Sequence, residues 1–598
     1  MITLGINAAF HDSSAALVVD GKVKAAAEEE RFTRIKHAKR PLPFTAWELP
    51  FHAIDYCLAE AGITLAEVDH VAYSYDPARF IRDRQIGDQI SLPLSPSAHP
   101  PGGWDNVWDP LFASYIVNAP RQLASAAPHH LKARFRGVRH DGPYRFHFVS
   151  HHLSHQASAF LAAPFDRCAV MTLDGRGEDA TTTYGVYRDG AYTALGEVCM
   201  PHSLGLLYER VTAHLGFLHS SDEYKVMALA ALGQPRFADV LQAHVHVGEE
   251  GNYTIEPLDL AAHVGPARER GAALEARHLD LAASLQHVLE DTVLRLATWL
   301  RRSTGEAHLA MAGGVALNCV MNARLRDSGL FDEVWVQPAA GDAGTALGAA
   351  LWVDAQQRLA DGAAAAPRDP GESGAATALA ARAWQMEDAL LGPSFDDDAI
   401  GALLQWAKLP ARRLDDVEQE TARLLADGKV IGWFQGRMEF GPRALGARSI
   451  LASPIDAAMQ TRLNELKDRE DFRPVAPVVP REHLGEWFSP AGANRGTSPF
   501  MLFIYDVHPD QAARIPAACH TDRTARVQTV DAERQPRFHR LLQAFGALTG
   551  VPVLINTSFN VRGEPVVCTP QDALHAFFST PLDALVMGSW LIQKGPQA

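Results

Sequence analysis

The chain is poor in cysteine, in long apolar runs and in positive charge. Its six cysteines are far apart, with no Cys-x-x-Cys pair, which excludes a disulfide framework and predicts free thiols in a reducing compartment. No stretch reaches the ~20 consecutive apolar residues that a membrane-spanning helix needs. The amino-terminal segment has no basic start, and His11-Asp12 interrupts its apolar residues, so no signal peptide is predicted. We therefore expect a cytoplasmic protein that does not bind membranes.

Negative charge is in excess. The 598 residues include 55 Lys and Arg against 70 Asp and Glu, a net charge of −15. This balance disfavours a broad nucleic-acid-binding surface, so we expect no nucleic acid partner. With 47% hydrophobic and 21% charged residues the composition is that of a globular protein, and its length predicts two to four domains.

Two stretches of the amino-terminal part have the same plan. Residues 2–29 and 168–197 each have the pattern of a strand, a polar turn, a second strand, an Asp-Gly turn and a third strand. Two such units facing each other are the plan of the actin-like ATPase fold. The pattern therefore predicts an α/β chain with an actin-like amino-terminal lobe, although Asp-Gly hairpins are also common elsewhere.

Two later segments have the pattern of a strand, a glycine loop and a helix. They contain "GGVALN" at 313–318 and "AAGDAGTALG" at 339–348. Helix amino-termini with free backbone N–H groups are typical phosphate contacts. Neither loop has the GK[ST] of a P-loop or the dinucleotide fingerprint, so those two classes are excluded.

A region of small residues and prolines, 361–375, has the composition of a linker. It separates the amino-terminal part from a region with its own predicted strands, "KVIGWFQG" and "GVPVLINTSF". We predict one domain over 1–365, a linker over 366–394 and a second domain over 395–598.

The segment "SHHLSHQASAF" places His151 and His155 four residues apart at a predicted helix start. Residues at i and i+4 share a helix face, so both imidazoles could bind one metal ion. With 26 histidines, roughly one such pair is expected by chance. Spacing alone leaves a metal site and two ordinary histidines open.

Basic and polar residues cluster in the carboxy-terminal region among Gly, Pro and apolar residues. Guanidinium groups bind planar oxyanions through paired hydrogen bonds, and phosphate is the usual target. The pattern favours an anion pocket over solvated surface charge. Its members are Arg437, Arg443, Arg448, Lys467, Arg469, Arg473, His520, Arg523, Arg526, Asn556 and Ser558.

Several long blocks resemble the NodU/CmcH-type O-carbamoyltransferases, the group that includes the tobramycin carbamoyltransferase. They occur in order over nearly the whole chain. They are "GINAAFHDSSAAL", "AAAEEERFTRIKH", "SHHLSHQASAF", "LDGRGED", "DEYKVMALAALG", "GGVALN", "GRMEFGPRALGARSILASP", "KDREDFRPVAP", "HTDRTARVQTV" and "LINTSFNVRGEP".

The resemblance implies an amino-terminal lobe like the tRNA-threonylcarbamoyl transferase (TsaD/Kae-like, of the actin-like ASKHA class) and an α+β YrdC-like carboxy-terminal lobe. It implies that the second lobe forms carbamoyl adenylate from ATP, as its Mg²⁺ complex, and carbamoyl phosphate. The first lobe would transfer the carbamoyl group to a small-molecule hydroxyl acceptor, such as an antibiotic sugar or a polyketide.

The resemblance also assigns roles to residues. The residues expected to bind Fe(II) or Zn(II) are His151, His155, Asp174 and Asp342. His152 is expected to be structural. Asp174 is also expected near the chemistry, with Asp12 and with His11 as acceptor base or orienting group; for His11, hairpin capping is the alternative. Adenylate contacts fall on Gly313, Gly314, Asn318, Glu223 and Lys225. The predicted ATP and carbamoyl phosphate ligands are Arg443, Arg448, Lys467, Arg469, Arg473, His520, Arg523, Arg526, Asn556 and Ser558.

Several alternatives remain open at this stage. Residues 28–40 are either a basic rim of the acceptor pocket or a charged surface. The Pro/Gly/Trp-rich segment 80–145 is either an acceptor lid or a contact in a homodimer. A tRNA-threonylcarbamoylating enzyme is disfavoured by the acidic charge. A non-catalytic actin-like ATP-binding module has no use for the metal set or for a second anion-binding lobe.

Overall fold

The computed structural model describes residues 1–38, 49–81, 109–125, 143–362, 375–489 and 497–594. In these ranges the chain is mixed α/β, as predicted, and contains no helix long and apolar enough to cross a membrane. The chain divides into two compact units. The first comprises Met1–Ser203, Ala310–Gly314 and Ala339–Gln385, and the second comprises Leu204–Leu309, Val315–Pro338 and Met386–Ala598.

The strands are β1 (Ile2–Asn7), β2 (Ser14–Val19), β3 (Lys22–Glu28), β4 (His70–Tyr73), β5 (Arg145–Phe148), β6 (Arg167–Leu173), β7 (Ala180–Arg188), β8 (Ala191–Cys199), β9 (Val245–Val247), β10 (Tyr253–Ile255), β11 (His308–Ala312), β12 (Glu333–Val336), β13 (Ala376–Ala378), β14 (Ala411–Arg413), β15 (Ile431–Phe434), β16 (Arg448–Ala452), β17 (Ala476–Pro480), β18 (Phe488–Ser489), β19 (Ile504–Val507), β20 (Thr524–Arg526), β21 (Gln528–Val530), β22 (Leu554–Ser558), β23 (Ala584–Met587) and β24 (Trp590–Gln593).

The helices are α1 (Glu30–Thr33), α2 (Phe51–Glu60), α3 (Pro77–Ile81), α4 (Asp109–Val117), α5 (Ala119–Ser125), α6 (His151–Phe160), α7 (Leu204–His214), α8 (Glu223–Ala230), α9 (Ala238–Gln242), α10 (Leu260–Val264), α11 (Ala276–Thr304), α12 (Cys319–Asp327), α13 (Ala343–Gly362), α14 (Asp397–Trp406), α15 (Val417–Ala426), α16 (Ala458–Leu466), α17 (Leu484–Trp487), α18 (Pro509–Ala512), α19 (Pro536–Thr549) and α20 (Pro570–Ser579).

The predicted repeat is present in the first unit. One sheet has the order β3–β2–β1–β4–β5, with β1 to β3 antiparallel and β1, β4 and β5 parallel. The part of the second sheet in this unit has the order β11–β6–β7–β8–β13, with β6 to β8 antiparallel. Both Asp-Gly turns have positive φ at both residues, 49° and 77° at Asp20-Gly21 and 51° and 79° at Asp189-Gly190, which suits a tight hairpin. The repeat is confirmed, while the actin-like assignment stays a prediction.

Helices α6 and α13 pack closely together in the first unit. A Cβ atom at Gly348 of α13 would lie 1.8 Å from the carbonyl oxygen of Ser154 in α6. Only glycine permits this approach. The crossing holds together two helices that begin at or beside predicted metal ligands, His151 and Asp342.

The second unit is built on an eight-stranded sheet of order β14–β24–β23–β15–β16–β22–β17–β21. Strands β15 and β22 are the two that the sequence predicts for this region. Alternation along β15 puts Trp433 in the core that contains Leu425 of α15 and Leu541 of α19. Its neighbour Phe434 belongs to the core that contains Leu463 of α16 and Phe577 of α20. Helices therefore cover both faces of this sheet.

The two units do not divide at the predicted linker. Helices α7 to α12 belong to the second unit, where Asn322 of α12 donates to the carbonyl oxygen of Leu502, 3.0 Å away. Residues 363–374 lie outside the described ranges, and the remainder of the predicted linker includes β13, which pairs with β8. In the segment 80–145, residues 82–108 and 126–142 also lie outside the described ranges.

Candidate functional site

Four predicted metal ligands converge in the first unit. The Nε2 atoms of His151 and His155 are 3.2 Å apart. His151 Nε2 lies 3.7 Å from Asp174 Oδ2 and 3.5 Å from Asp342 Oδ1, and His155 Nε2 lies 4.0 and 3.7 Å from the same two oxygens. All four side chains are buried, with at most 6% of any residue exposed.

This arrangement fits a metal ion. Donor atoms at ~2.1 Å from one ion lie ~3.0–3.4 Å apart at octahedral or tetrahedral angles, close to the distances seen here. Two imidazoles and two carboxylates suit Fe(II) or Zn(II). Within the described residues, this is the only group of three or more closely spaced His, Cys, Asp or Glu side chains whose members are all buried. The four predicted ligands are therefore brought together at one point.

Neighbouring groups orient the ligands. The Nδ1 atom of His151 lies 3.3 Å from the carbonyl oxygen of Ser74, which places a proton on Nδ1 and leaves Nε2 to bind metal. Asp174 Oδ1 accepts from the backbone N–H of Gly314 at 2.8 Å. Gly313 has φ of 97°, and a Cβ atom there would lie 2.2 Å from the carbonyl oxygen of Leu173. Gly313 is thus required for close packing on β6.

The charged groups of the metal-ligand cluster shift one another's pKa values. Burial lowers the pKa of His151, but the carboxylates of Asp342 and Asp174 outweigh burial and raise that pKa well above its ordinary value. Burial raises the pKa of Asp342, yet His11 and His151 hold it well below its ordinary value. Two ionised carboxylates therefore require positive charge at this point, which a divalent cation can supply in place of protons.

The flanking predictions have clear positions. His152 is directed to Thr183 Oγ1, 3.2 Å from its Nδ1, and burial lowers its pKa to about 3, consistent with a structural role. His11 reaches the cluster, with Nε2 3.9 Å from Asp342 Oδ2, while its Nδ1 lies 2.9 Å from Asp12 Oδ2. Asp12 thus contacts the ring of His11, and the other side of that ring faces the predicted metal ligand Asp342.

Residues 28–31 do not form the exposed charged surface that was one alternative. Glu28, Glu29, Glu30 and Arg31 are each at most 8% exposed. Arg31 pairs with Glu28 at 2.9 Å and with Glu30 at 3.0 Å. Glu29 accepts from the backbone N–H of Ala53 at 2.9 Å.

The predicted adenylate contacts are partly engaged within the protein. The N–H of Gly314 is used by Asp174, as described above. In the second unit Asn318 caps α12 by accepting from Met321 N at 3.0 Å, and its Nδ2 donates to Gln286 Oε1 at 2.8 Å. Glu223 accepts from Ser220 N at 2.7 Å. These contacts give Asn318 and Glu223 local structural roles.

Four arginines of the second unit form a cationic cluster, Arg443, Arg469, Arg473 and Arg526. Burial and the nearby Arg526 lower the pKa of Arg443 to about 9, and burial with Arg473 and Arg526 does the same for Arg469. Among the described residues, Arg443 Nε, Arg469 Nη2 and Arg526 Nε have no hydrogen-bond partner despite their burial. Buried guanidinium nitrogens that have no partner within the protein favour an anionic ligand.

Residues around the cluster hold the arginines in place. The guanidinium of Arg473 lies over the ring of Tyr224, 4.6 Å from its centre. Lys225 Nζ lies 2.9 Å from Glu470 Oε1. Lys225, predicted as an adenylate ligand, is therefore joined to the same segment that carries Arg469 and Arg473.

The other predicted anion ligands differ in their surroundings. Lys467 Nζ donates to Ser558 Oγ at 2.9 Å and to Asn560 Oδ1 at 2.7 Å. Asn556 is buried and its Nδ2 donates to Gln528 Oε1 at 2.7 Å. Burial lowers the pKa of His520 to about 4. Arg523 is exposed.

Arg448 is placed differently from the prediction. It is fully buried, and its guanidinium donates to the carbonyl oxygens of Gln435, Gly436 and Pro393 at 3.0, 3.1 and 2.9 Å. It also lies over the ring of Phe434, 3.7 Å from its centre. A guanidinium so fully engaged holds the fold together and has little capacity left for a substrate anion.

Two residues with evident roles escape sequence reasoning. Glu439 accepts through Oε1 from the backbone N–H groups of Leu445 and Ala447, both at 2.7 Å, and so shapes the loop that carries Arg443. Tyr224 supports Arg473. Both lie inside the blocks that carry the family resemblance, but their residue types alone gave no signal.

The chain has weak likenesses to solved structures, among them those of two proteins. One is component A of the (R)-2-hydroxyglutaryl-CoA dehydratase of Acidaminococcus fermentans, at 14% identity over 59% of this chain and 97% of that chain, with a TM-score of 0.30. The other is the ROK hexokinase of Thermus thermophilus, at 15% identity over 60% of this chain and 100% of that chain, with a TM-score of 0.29. These likenesses are too weak to assign a fold.

The sequence matches give a definite result. Residues 2–351 match the family model of the carbamoyltransferase amino-terminus, and residues 422–594 match that of the carbamoyltransferase carboxy-terminus. The nodulation protein NolNO of Sinorhizobium fredii is 37% identical over 98% of this chain and 80% of its own length. The 3'-hydroxymethylcephem-O-carbamoyltransferase of Amycolatopsis lactamdurans is 34% identical over 62% of this chain and 65% of its own. Since both family regions match in order, the chain belongs to the carbamoyltransferase family and is a carbamoyltransferase.

Proposed function

We propose that this carbamoyltransferase is an ATP-dependent O-carbamoyltransferase that works in two steps through a carbamoyl adenylate. The observation that carries the proposal is the buried convergence of His151, His155, Asp174 and Asp342 in a chain of this family. The arginine cluster of the second unit, in which three buried guanidinium nitrogens have no partner within the protein, supports an anion site for a preceding activation step.

The activation step is assigned to the arginine cluster. Water attack on the phosphorus of carbamoyl phosphate would release inorganic phosphate and leave carbamate. A carbamate oxygen would then attack the α-phosphorus of ATP, breaking the bond to the β-phosphate oxygen and releasing pyrophosphate. Arg443, Arg469, Arg473 and Arg526 would bind and neutralise the phosphate oxygens, and ATP would enter as its Mg²⁺ complex.

Four other polar residues of the carboxy-terminal region are proposed to orient the carbamoyl and phosphate groups. They are Lys467, His520, Asn556 and Ser558. Arg448 and Arg523 are left out of this set, since the first is engaged by carbonyl oxygens and the second is exposed.

The transfer step is assigned to the first unit. The acceptor oxygen would attack the carbamoyl carbon, the bond from that carbon to the adenylate oxygen would break, and AMP would leave. The acceptor proton would pass to His11 Nε2, which lies 3.9 Å from Asp342. His151, His155, Asp174 and Asp342 would hold Fe(II) or Zn(II), which when bound supplies Lewis acidity toward ligand oxygens.

The proposed acceptor is a hydroxyl group of a small specialised metabolite, of the antibiotic sugar or polyketide type. The Amycolatopsis relative is named for carbamoylation of a 3'-hydroxymethylcephem. We do not propose tRNA as the acceptor, because the net charge of −15 disfavours its binding.

We place the protein in the cytoplasm, in keeping with its scattered cysteines.

The proposal is tested by incubating the full-length protein with ATP, carbamoyl phosphate and Mg²⁺. Pyrophosphate should be released and carbamoyl adenylate should be detected by mass spectrometry. Omission of carbamoyl phosphate is the control and should prevent both. If neither product forms with all components present, the adenylate route is wrong for this enzyme.

A further inference from the structure

One carboxylate in the first unit is shared by two imidazoles. Asp12 Oδ2 lies 2.9 Å from His11 Nδ1, and Asp12 Oδ1 lies 2.8 Å from His37 Nδ1. Each imidazole therefore occupies a different oxygen of the same side chain. His37 was absent from the residues that the sequence singled out.

The backbone around this triad is held in an unusual conformation. Asp12 and His37 have positive φ, 52° and 60°, which costs a residue with a side chain about 1 kcal/mol or more. Asp12 N donates to the carbonyl oxygen of His37 at 3.3 Å, and Asn7 Nδ2 donates to the carbonyl oxygens of His11 and Asp12, both at 3.1 Å. His37 N donates to Glu30 Oε2 at 2.6 Å. The surroundings thus fix both turns against each other.

The hydrogen bonds determine where the ring protons are. A carboxylate only accepts, so each Nδ1 that faces Asp12 must carry the hydrogen. In a neutral ring, Nε2 then carries the lone pair. For His11 that lone pair is on the nitrogen 3.9 Å from Asp342 Oδ2, which is the side where transfer is proposed.

His37 limits what the carboxylate can do. With only one imidazole partner, Asp12 could rotate about its side-chain bonds and present either oxygen to His11. Since the second oxygen is held by His37, rotation would break a charge-assisted hydrogen bond. The orientation of His11 is therefore determined by His37, although the two rings are 6.3 Å apart between centres.

We propose that His37 is a positioning residue for carbamoyl transfer, which through Asp12 fixes the tautomer and the orientation of His11. The inference rests on the proposed transfer role of His11. It assigns no contact between His37 and the acceptor.

The test reads the tautomer of His11 directly, so no acceptor is needed. Full-length protein with ¹⁵N-labelled histidine, with added Zn(II) as a diamagnetic ion, is studied by NMR, and the His11→Gln variant identifies the His11 signals. In the wild type, His11 Nδ1 should give the shift of a protonated ring nitrogen. His37→Leu should lose this signal or shift it towards the average of two tautomers.

A conservative variant separates positioning from folding. The side-chain N–H of Asn can take the place of Nδ1, so His37→Asn should restore the wild-type His11 signal. An unchanged His11 signal in His37→Leu overturns the proposal, as does an equal loss in both variants. Pyrophosphate release is measured on the same samples and should be unchanged. Its absence in the wild type would instead contradict the proposed function.

Discussion

At the scale of single residues, the decisive property is which atom of a side chain is left available. His151 and His152 are adjacent and both buried, yet His151 Nε2 faces two carboxylates whereas His152 faces a threonine hydroxyl. Arg443 and Arg448 are five residues apart, yet Arg443 has a partnerless Nε and Arg448 donates to several carbonyl oxygens. Residue type alone does not distinguish the members of either pair.

His155 and His152 give a matched test of the metal centre. His155→Ala removes one of four converging donors, and the protein should bind metal with an affinity at least 10-fold lower, since each ligand contributes strongly. His152→Ala removes a similar volume from the same helix and should leave the metal content unchanged. Metal per chain is measured by mass spectrometry after dialysis. Wild-type metal content in His155→Ala would contradict the ligand assignment.

A second pair of histidines predicts a pH effect on stability. His70 Nδ1 lies 3.0 Å from His147 Nε2, and burial, with the neighbouring His70, lowers the pKa of His147 to about 4. The unfolded chain takes up this proton near its ordinary pKa of 6.5. Stability from this group is therefore complete above that pH and is lost as the pH falls towards 4.

This effect is measured from the thermal midpoint between pH 7 and pH 4. His147→Gln should reduce the fall in midpoint, since it removes the titrating ring. His246 is exposed on β9 and provides the control, so His246→Gln should keep the wild-type slope. Equal slopes in all three proteins would show that His147 does not contribute.

At the scale of elements, the helices are better determined by the sequence than the loops. Residues 280–303 have a long amphipathic pattern that is typical of a helix, and they lie in α11, Ala276–Thr304, which ends at Gly305 with φ of 71°. The repeat and the strands before each glycine loop were also predictable, since hydrophobic alternation and Asp-Gly turns act locally. The metal ligands followed from one helical spacing together with the family blocks.

What escaped prediction depends on contacts distant in the chain. Helix α12 lies in the second unit because Asn322 and Arg326 donate to the carbonyl oxygens of Leu502 and Ile504. These residues are about 180 positions apart, and no local pattern reports such a pairing. The compact units therefore join stretches that are far apart in the sequence, and the domain division at residues 366–394 stays a prediction.

In the loop of residues 439–448, one carboxylate oxygen holds the backbone around Arg443. Glu439 Oε1 accepts from three backbone N–H groups, those of Leu445, Ala447 and Arg448. Glu439→Ala should leave these buried donors unsatisfied and lower the free energy of unfolding by about 3 kcal/mol, at ~1 kcal/mol each. It should also reduce pyrophosphate release more than 10-fold, because Arg443 is displaced.

Glu439→Gln is the matched control for that loop. Its side-chain oxygen still accepts hydrogen bonds, so stability measured by urea unfolding and pyrophosphate release should both stay closer to the wild type. Equal stability of Glu439→Ala and the wild type would contradict the role of Glu439 in shaping the loop.

At the scale of the whole molecule, the two proposed steps depend on opposite charges. The cluster of His151, His155, Asp174 and Asp342 in the first unit has two buried carboxylates and is proposed to bind a cation, whereas the arginine cluster in the second unit is proposed to bind anions. A net charge of −15 makes the second cluster a local exception. The members of each cluster belong to a single unit, so we expect that each cluster can be altered by variants that leave the other intact.

The assignment of one step to each unit is tested by measuring both metal content and pyrophosphate release in variants of each site. His155→Ala should release pyrophosphate from ATP and carbamoyl phosphate at the wild-type initial rate, although it holds little metal. Arg526→Ala should bind metal at the wild-type ratio but release pyrophosphate at least 10-fold more slowly, since a guanidinium proposed to bind phosphate oxygens is lost. Arg523→Ala, three residues away and exposed, should match the wild type in both assays. If His155→Ala abolished pyrophosphate release, or Arg523→Ala and Arg526→Ala were equally impaired, the assignment of one step to each unit would be wrong.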